Sequence, residues 1–245
     1  MRRVVIVLSF LLSSVGVAKP LFLHRARFHA TRGRHGVVVA QEQLAAEVGR
    51  NILRQGGNAI DAAVATGFAL MVTLPRAGGL GGGGFMTIWL QHPHKALVVD
   101  YRESAPHDIK SGSFLGKNHQ LDRHKAAHSG LSVGVPGTVA GLCYAEAEYG
   151  KLGLKKVITP AIKLAVHGIT VTQSLAAALK GSIKTLKVDS ATLNMFTRAH
   201  GQLVSQGQLL KRPGLARALI AIRDGGAKVF YRGAIAAAMV KADKQ

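Results

Sequence analysis

The chain has 245 residues and a formal net charge of +20, with hydrophobic residues at 48% and charged residues at 18%. That length and apolar content support a sizeable core and exclude wholesale disorder. The excess of 32 basic over 12 acidic residues would steer the chain toward phosphates or anionic lipid if the cations were gathered. They are spread along the sequence, so solvation of the surface by lysine and arginine is the simpler reading.

In chain order, Arg2 and Arg3, the apolar run Val4 to Leu12 and the small residues Gly16-Val17-Ala18 read as a secretory signal over residues 1–18, with Lys19 opening the mature chain. The run is short for a bilayer, so no stable membrane anchor is expected, and the location expected is a periplasm or the exterior. Residues 19–35 carry Lys19, Arg25, Arg27, Arg32 and Arg34 without an acid and read as a basic arm. A single α/β domain, helix-rich in its second half, is expected over 36–245.

Gly36 to Ala40 is an apolar strand candidate. Leu44, Val48 and Ile52 recur at helical spacing until Gly56-Gly57. Asn58 is a helix cap that Asp61 answers three residues on, and the helix from Ala59 to Leu74 is so apolar that it should be buried on all sides, ending at Pro75. A glycine-rich loop, Gly78 to Gly84, leads into strand candidates Phe85 to Leu90 and Ala96 to Asp100, joined by a turn at His92-Pro93-His94-Lys95.

Tyr101 to Gly130 is polar, histidine-rich and without a period, a surface excursion. Helices are expected over Thr138 to Tyr149, closed by Gly150, and from Thr159-Pro160 to Gly168. Further ones are expected over Leu175 to Leu186, Leu215 to Ile222 and Ile235 to Val240.

Two short patterns match chemical motifs only literally. Gly79 to Gly84 fits a dinucleotide fingerprint, but a helix precedes it and a strand comes after, the reverse of what that fingerprint needs. Two readings stay open for the loop: exposed backbone N–H groups approached by an anion, or a tight bend where elements cross. Gly130-Leu131-Ser132-Val133-Gly134 fits a serine-hydrolase elbow, yet no apolar strand precedes it and Pro136 stands where the elbow needs a helix immediately behind, so Ser132 reads as a loop serine. Cys143, the only cysteine, sits in an Ala/Leu-rich stretch and reads as a buried structural thiol. His92 and His94 flank a proline without a carboxylate nearby, so no metal site is expected, nor any other cofactor. Glu146 and Glu148 fall on different sides of a helix.

Arg102 follows the end of a strand, where ligand pockets often lie, and its planar fork suits a carboxylate. On local grounds an intramolecular pair with Asp100 or Glu103 is the competing and favoured reading.

Read together, five segments resemble γ-glutamyltranspeptidases. Gly56 to Ala65 is similar to that family's "GGNAVDAAVA" stretch, Leu80 to Met86 to its glycine loop, and Tyr101 to Pro106 to its "RE-x-AP" motif. Val135 to Leu142 resembles its "PGTVAG" helix start, and Pro160 to Ala165 its "PAI-x-LA". Each is weak alone, but five in order from about Val37 to Tyr231 are specific.

The resemblance implies part of an N-terminal nucleophile hydrolase with an αββα sandwich. Such a precursor cuts itself into large and small subunits, and the new N-terminal threonine attacks γ-glutamyl amides such as glutathione. It also implies that Arg102 grips the α-carboxylate of the γ-glutamyl group, which turns the reading of Arg102 from local pairing to binding. Thr66, Thr73, Thr87 and Thr138 lie in matched segments, but none stands where the family has its nucleophile. The expectation is therefore a large-subunit portion, residues 36–245, inactive alone and partnered by the rest of that subunit and the small subunit. The alternative is an exported basic binding protein without catalysis, supported if it binds DNA or anionic lipid tightly; no specific nucleic-acid partner is expected. A hydrolase using Ser132 is remote.

Overall fold

A computed structural model describes residues 32–198 and 201–243. The expected signal segment and the basic arm up to residue 31 lie outside the described residues. Residues from His35 onward form one compact unit.

The first helix, α1 (Gln43–Arg54), turns its buried face, Ala45, Val48 and Ile52, toward α2 (Ala59–Thr73). Helix α2 is the centre of the core. Its sequence is apolar on every face, and buried residues run the length of it, from Ile60 to Thr73. Its start is fixed by the expected capping box: Asn58 Oδ1 accepts from the N–H groups of Ile60 and Asp61, while Asp61 accepts from the Asn58 N–H.

The strands β1 (Phe85–Leu90) and β2 (Lys95–Asp100) form an antiparallel hairpin in which Met86 faces Val99 and Ile88 faces Leu97. Ile88 and Val99 are buried on the inner face. The outer face carries Phe85, Trp89 and Val98, which are 56%, 60% and 59% exposed. A period of two thus yields an apolar stripe on both faces rather than apolar-in and polar-out.

The excursion after β2 contains a short exposed helix, α3 (Arg123–His128), and a 3-10 turn over Gly130–Ser132. Helix α4 (Thr138–Tyr149) spans the residues expected of it and packs on α2 through Val139, Leu142 and Ala145. Next come α5 (Leu154–His167), β3 (Ile169–Thr170), α6 (Gln173–Gly181), α7 (Ile183–Leu186), α8 (Ser190–Asn194) and β4 (Leu209–Leu210), the last paired with β3. The chain continues through α9 (Pro213–Gly225), α10 (Ala227–Arg232) and α11 (Ala234–Asp243). Helix α5 lies against α2 and α9, and α10 contacts both α9 and α4. The arrangement is mixed helix and strand, with helices dominating the second half.

Three expectations need correction. The helix expected over Leu175 to Leu186 is two, α6 and α7, parted at Ser182, whose backbone leaves the helical region. Gly36 to Ala40 is extended but is not a strand, because it has no ladder partner among the described residues. It keeps the alternation of one, with Val38 and Ala40 packed on the core while Val37 and Val39 are exposed. Helix α5 begins five residues before the expected Thr159. Gly153, at φ 83°, supplies the left-handed turn that launches it, and Pro160 sits inside the helix. The missing donor of Pro160 leaves only the Lys156 carbonyl unserved, on an exposed residue where water can replace it.

Candidate functional site

Three segments meet where β2 ends. The hairpin ladder is prolonged by a mutual pair of hydrogen bonds, Gly84 N–H to the Tyr101 carbonyl at 3.2 Å and Tyr101 N–H to the Gly84 carbonyl at 3.0 Å. Ser104 and Val135 exchange a second pair at 3.3 and 2.8 Å. The Gly82 carbonyl accepts from both Gly137 and Thr138, each at 2.9 Å, and so satisfies two N–H groups at the start of α4 that a helix leaves without internal partners. Tyr231 of α10 braces the same point, its hydroxyl donating to the Pro136 carbonyl at 2.8 Å and accepting from the Ala140 N–H at 3.2 Å.

This crossing decides between the two readings of the glycine loop in favour of the tight bend. A Cβ on Gly83 would stand 2.6 Å from both the Glu103 nitrogen and the Tyr101 carbonyl oxygen. A Cβ on Gly137 would collide with the Tyr101 carbonyl oxygen. The Glu103 carboxylate lies over Gly82 and Gly83, occupying with negative charge the space an anion would need.

The same geometry settles the local pairing of Arg102. Asp100 Oδ1 accepts the Arg102 backbone N–H at 3.0 Å, and Glu103 is turned to the glycine loop. Among the described residues the ion pairs are His107–Asp108 and Arg223–Asp224, so the guanidinium of Arg102 is joined to neither expected partner. It stands exposed on a backbone pinned from both sides, an arrangement that can present two parallel N–H donors to a carboxylate.

The other candidates divide cleanly. Ser132 is exposed and its hydroxyl donates to the Ser129 carbonyl at 2.7 Å, as befits a loop serine. Thr66 and Thr73 are buried and donate back to the Ala62 and Ala69 carbonyls of their own helix. Thr87 points outward from β1, and Thr138 opens α4. Each of these threonines carries a peptide nitrogen rather than a free amine. Among the described residues no cluster of three or more histidine, cysteine, aspartate or glutamate side chains suits a metal ion. Cys143 is half-buried, and desolvation, with the charge of Glu146 adding to it, pushes its thiol up to about 11, which keeps it protonated at neutral pH. No helix among the described residues is long and apolar enough to cross a membrane.

One further constellation, the meeting of Asp61 with Glu146, joins a residue of the capping box to one that no sequence motif contains. Asp61, fully buried, accepts from Asn58, Lys151 and Leu152 N–H groups at 2.6, 2.9 and 2.7 Å, tying the start of α2 to the α4–α5 turn. Burial alone would raise this carboxyl, but those N–H donors together hold it below its ordinary value. Glu146 is 3% exposed, and neither of its oxygens has a hydrogen-bond partner of standard geometry. Burial first, then the neighbouring Asp61, push it up to about 7, with the Gly153 N–H opposing. As a neutral acid Glu146 can donate to Asp61, which removes its need for a separate donor. The sequence did hold a sign of this: Val139, Leu142 and Glu146 share one helical stripe, and the last of them is not apolar.

The Gamma-glutamyltranspeptidase family model matches residues 45–245. The chain is 40% identical over 209 residues to the glutathione hydrolase proenzyme of Escherichia coli strain K12, covering 85% of this chain and 36% of that protein. It is 38% identical over 222 residues to the glutathione hydrolase proenzyme of Pseudomonas sp. strain A14, covering 91% of this chain and 38% of that one. Among solved structures, the γ-glutamyltranspeptidase of Helicobacter pylori superimposes with a TM-score of 0.85 at 37% identity, over 88% of this chain and 62% of that chain. The chain thus spans a little over a third of the length of these curated relatives. The likeness carries the expected fold, part of an N-terminal nucleophile hydrolase, with strands and a helix-rich second half.

Proposed function

Because this chain belongs to the γ-glutamyltranspeptidase family, we propose that its residues supply one wall of a site for γ-glutamyl compounds such as glutathione, with Arg102 gripping the α-carboxylate. The observation that carries the proposal is the exposed guanidinium of Arg102, without an ion-pair partner among the described residues, on a backbone fixed by Asp100 and by the glycine-loop crossing. A carboxylate there would take two charge-assisted hydrogen bonds, and the γ-carbonyl of the same substrate would be held at a fixed distance beyond it.

The reaction proposed is acyl transfer. A threonine hydroxyl oxygen attacks the γ-carbonyl carbon while the free amine of that threonine takes its proton. The amide C–N bond then breaks, the leaving amine departs protonated, and an ester joins the glutamyl group to the enzyme. Water or an acceptor amine attacks the ester and regenerates the hydroxyl. None of the four threonines in the family-like segments has the free amine this step needs, so the nucleophile is proposed to come from polypeptide beyond these 245 residues. The remainder of the large subunit and the small subunit are the proposed partners. The outer face of the β1–β2 hairpin, with Phe85, Trp89 and Val98 exposed, suits a second packed layer. Export is proposed on the condition that residues 1–18 act as the signal they resemble.

The test uses γ-glutamyl-p-nitroanilide. The 245-residue chain alone is expected to release no p-nitroaniline above buffer, and turnover by it would overturn the placement of the nucleophile. Co-refolded with polypeptide completing the length of its relatives, the chain is expected to turn over. In that assembly Arg102→Ala should raise KM on the order of tenfold to a hundredfold, and Arg102→Lys less, since it keeps the charge but loses the fork. An unchanged KM in Arg102→Ala would remove Arg102 from the site.

A further inference from the structure

Cations that are spread along the sequence are gathered at one place by the fold. A cleft of about 770 Å³ opens between α8, the segment after it and the start of α9. Arg198, Lys211, Arg212 and Arg217 line it, and among the described residues no carboxylate does. The acids nearest in sequence are committed elsewhere: Asp189 caps α8 through the Ala191 and Thr192 N–H groups, and Asp224 is bound to Arg223.

Arg212 is the fixed member of the group. Its Nη1 donates to the Met71 carbonyl at 3.0 Å, its backbone N–H to the Ala165 carbonyl at 2.9 Å, and its guanidinium carbon lies 5.6 Å from the centre of the Phe196 ring. Burial pushes its pKa down, the mark of a cation that has lost water without gaining a counter-ion. Arg198, Lys211 and Arg217 are exposed around it. Four like charges round one hollow repel each other, and that repulsion is relieved when an anion enters.

We propose that this cleft binds a compact, multivalent oxyanion of the phosphate type, held by Arg212 at its base and by Arg198, Lys211 and Arg217 around it. Guanidinium forks match paired oxygens on such a group, and a multivalent anion offsets more of the charge of four cations than a monovalent one can.

The experiment is calorimetric titration of the 245-residue chain with pyrophosphate at a constant ionic strength of about 0.15 M, where the general field of the protein is screened beyond roughly 8 Å. Saturable binding with one site per chain is expected. The doubly substituted Arg198→Ala/Arg217→Ala chain alters exposed residues, spares Arg212, and should bind at least about tenfold more weakly. A control, Lys110→Ala/Lys117→Ala, removes the same charge from residues that do not line the cleft and should stay within about twofold. Circular dichroism establishes that the variants keep the native helix content. Non-saturable binding, or equal weakening in both variants, would assign the effect to net charge and overturn the proposal. Capture of the chain by phosphatidic acid vesicles without binding of pyrophosphate would do the same, assigning the cations to a lipid surface.

Discussion

At the scale of single residues, the sharpest consequence concerns Glu146. Its carboxyl is raised from the ordinary 4.5 to about 7, so it stabilises the fold fully below pH 4.5 and loses that contribution as pH rises through 7. Asp61, held below its ordinary 3.8, works in the opposite sense and loses its contribution only under stronger acid. The two together place the stability optimum of this cluster at about pH 4 to 4.5, with stability falling from there as pH rises toward 7. Glu146→Gln keeps a donor for Asp61 and cannot ionise. Its urea midpoint should exceed that of the parent at pH 8 by an amount equivalent to about 1–2 kcal/mol, with the gap closing by pH 5. A gap independent of pH would show that Glu146 is not ionising in place. Arg102 and the threonines could be singled out in the sequence because they sit in motifs. The Asp61–Glu146 contact was not, because 85 residues separate the pair and no local pattern encodes which buried carboxyl meets which.

At the scale of elements, the sequence was most legible where backbone chemistry is local. The Asn58–Asp61 box, the α4 boundaries and the hairpin could be read directly, since caps, glycine stops and a period of two act within a few residues. The cap carries a measurable load. Asn58→Ala removes the acceptor for Ile60 and Asp61 and also the Asn58 Nδ2 donor to the Tyr149 carbonyl at 2.7 Å. A loss of about 2 kcal/mol in urea unfolding is expected, and Asn58→Asp should recover the cap portion alone. Legibility failed where an element depends on something distant. Residues 36–40 have a strand's composition without a ladder partner among the described residues, and Pro160 looked like a start because tolerance of a proline inside α5 depends on which carbonyl it leaves exposed. The glycine loop is the same case. Its sequence allowed an anion cradle or a crossing, and only the arrival of Tyr101 and Gly137 decides between them.

At the scale of the whole molecule, the two faces of the hairpin set its behaviour in solution. Phe85, Trp89 and Val98 present apolar surface to water on one sheet face, and both strands have a free edge among the described residues. The net charge of +20 opposes association at low salt, and the opposition weakens as salt rises. Sedimentation velocity should therefore show self-association of the 245-residue chain growing between about 0.05 and 0.5 M salt. Trp89→Lys with Val98→Lys should return it to monomer without changing its circular dichroism. A parent that stays monomeric across that range would mean the outer face is not adhesive.

Trp89 is also the only tryptophan in the chain. Ultraviolet excitation near the red edge therefore interrogates a single indole, placed on the hairpin's open face. Any polypeptide that settles on that face changes the emission colour and its quenching by iodide, with no label and no background from elsewhere in the protein. The hairpin thus carries its own optical gauge of assembly, readable in real time.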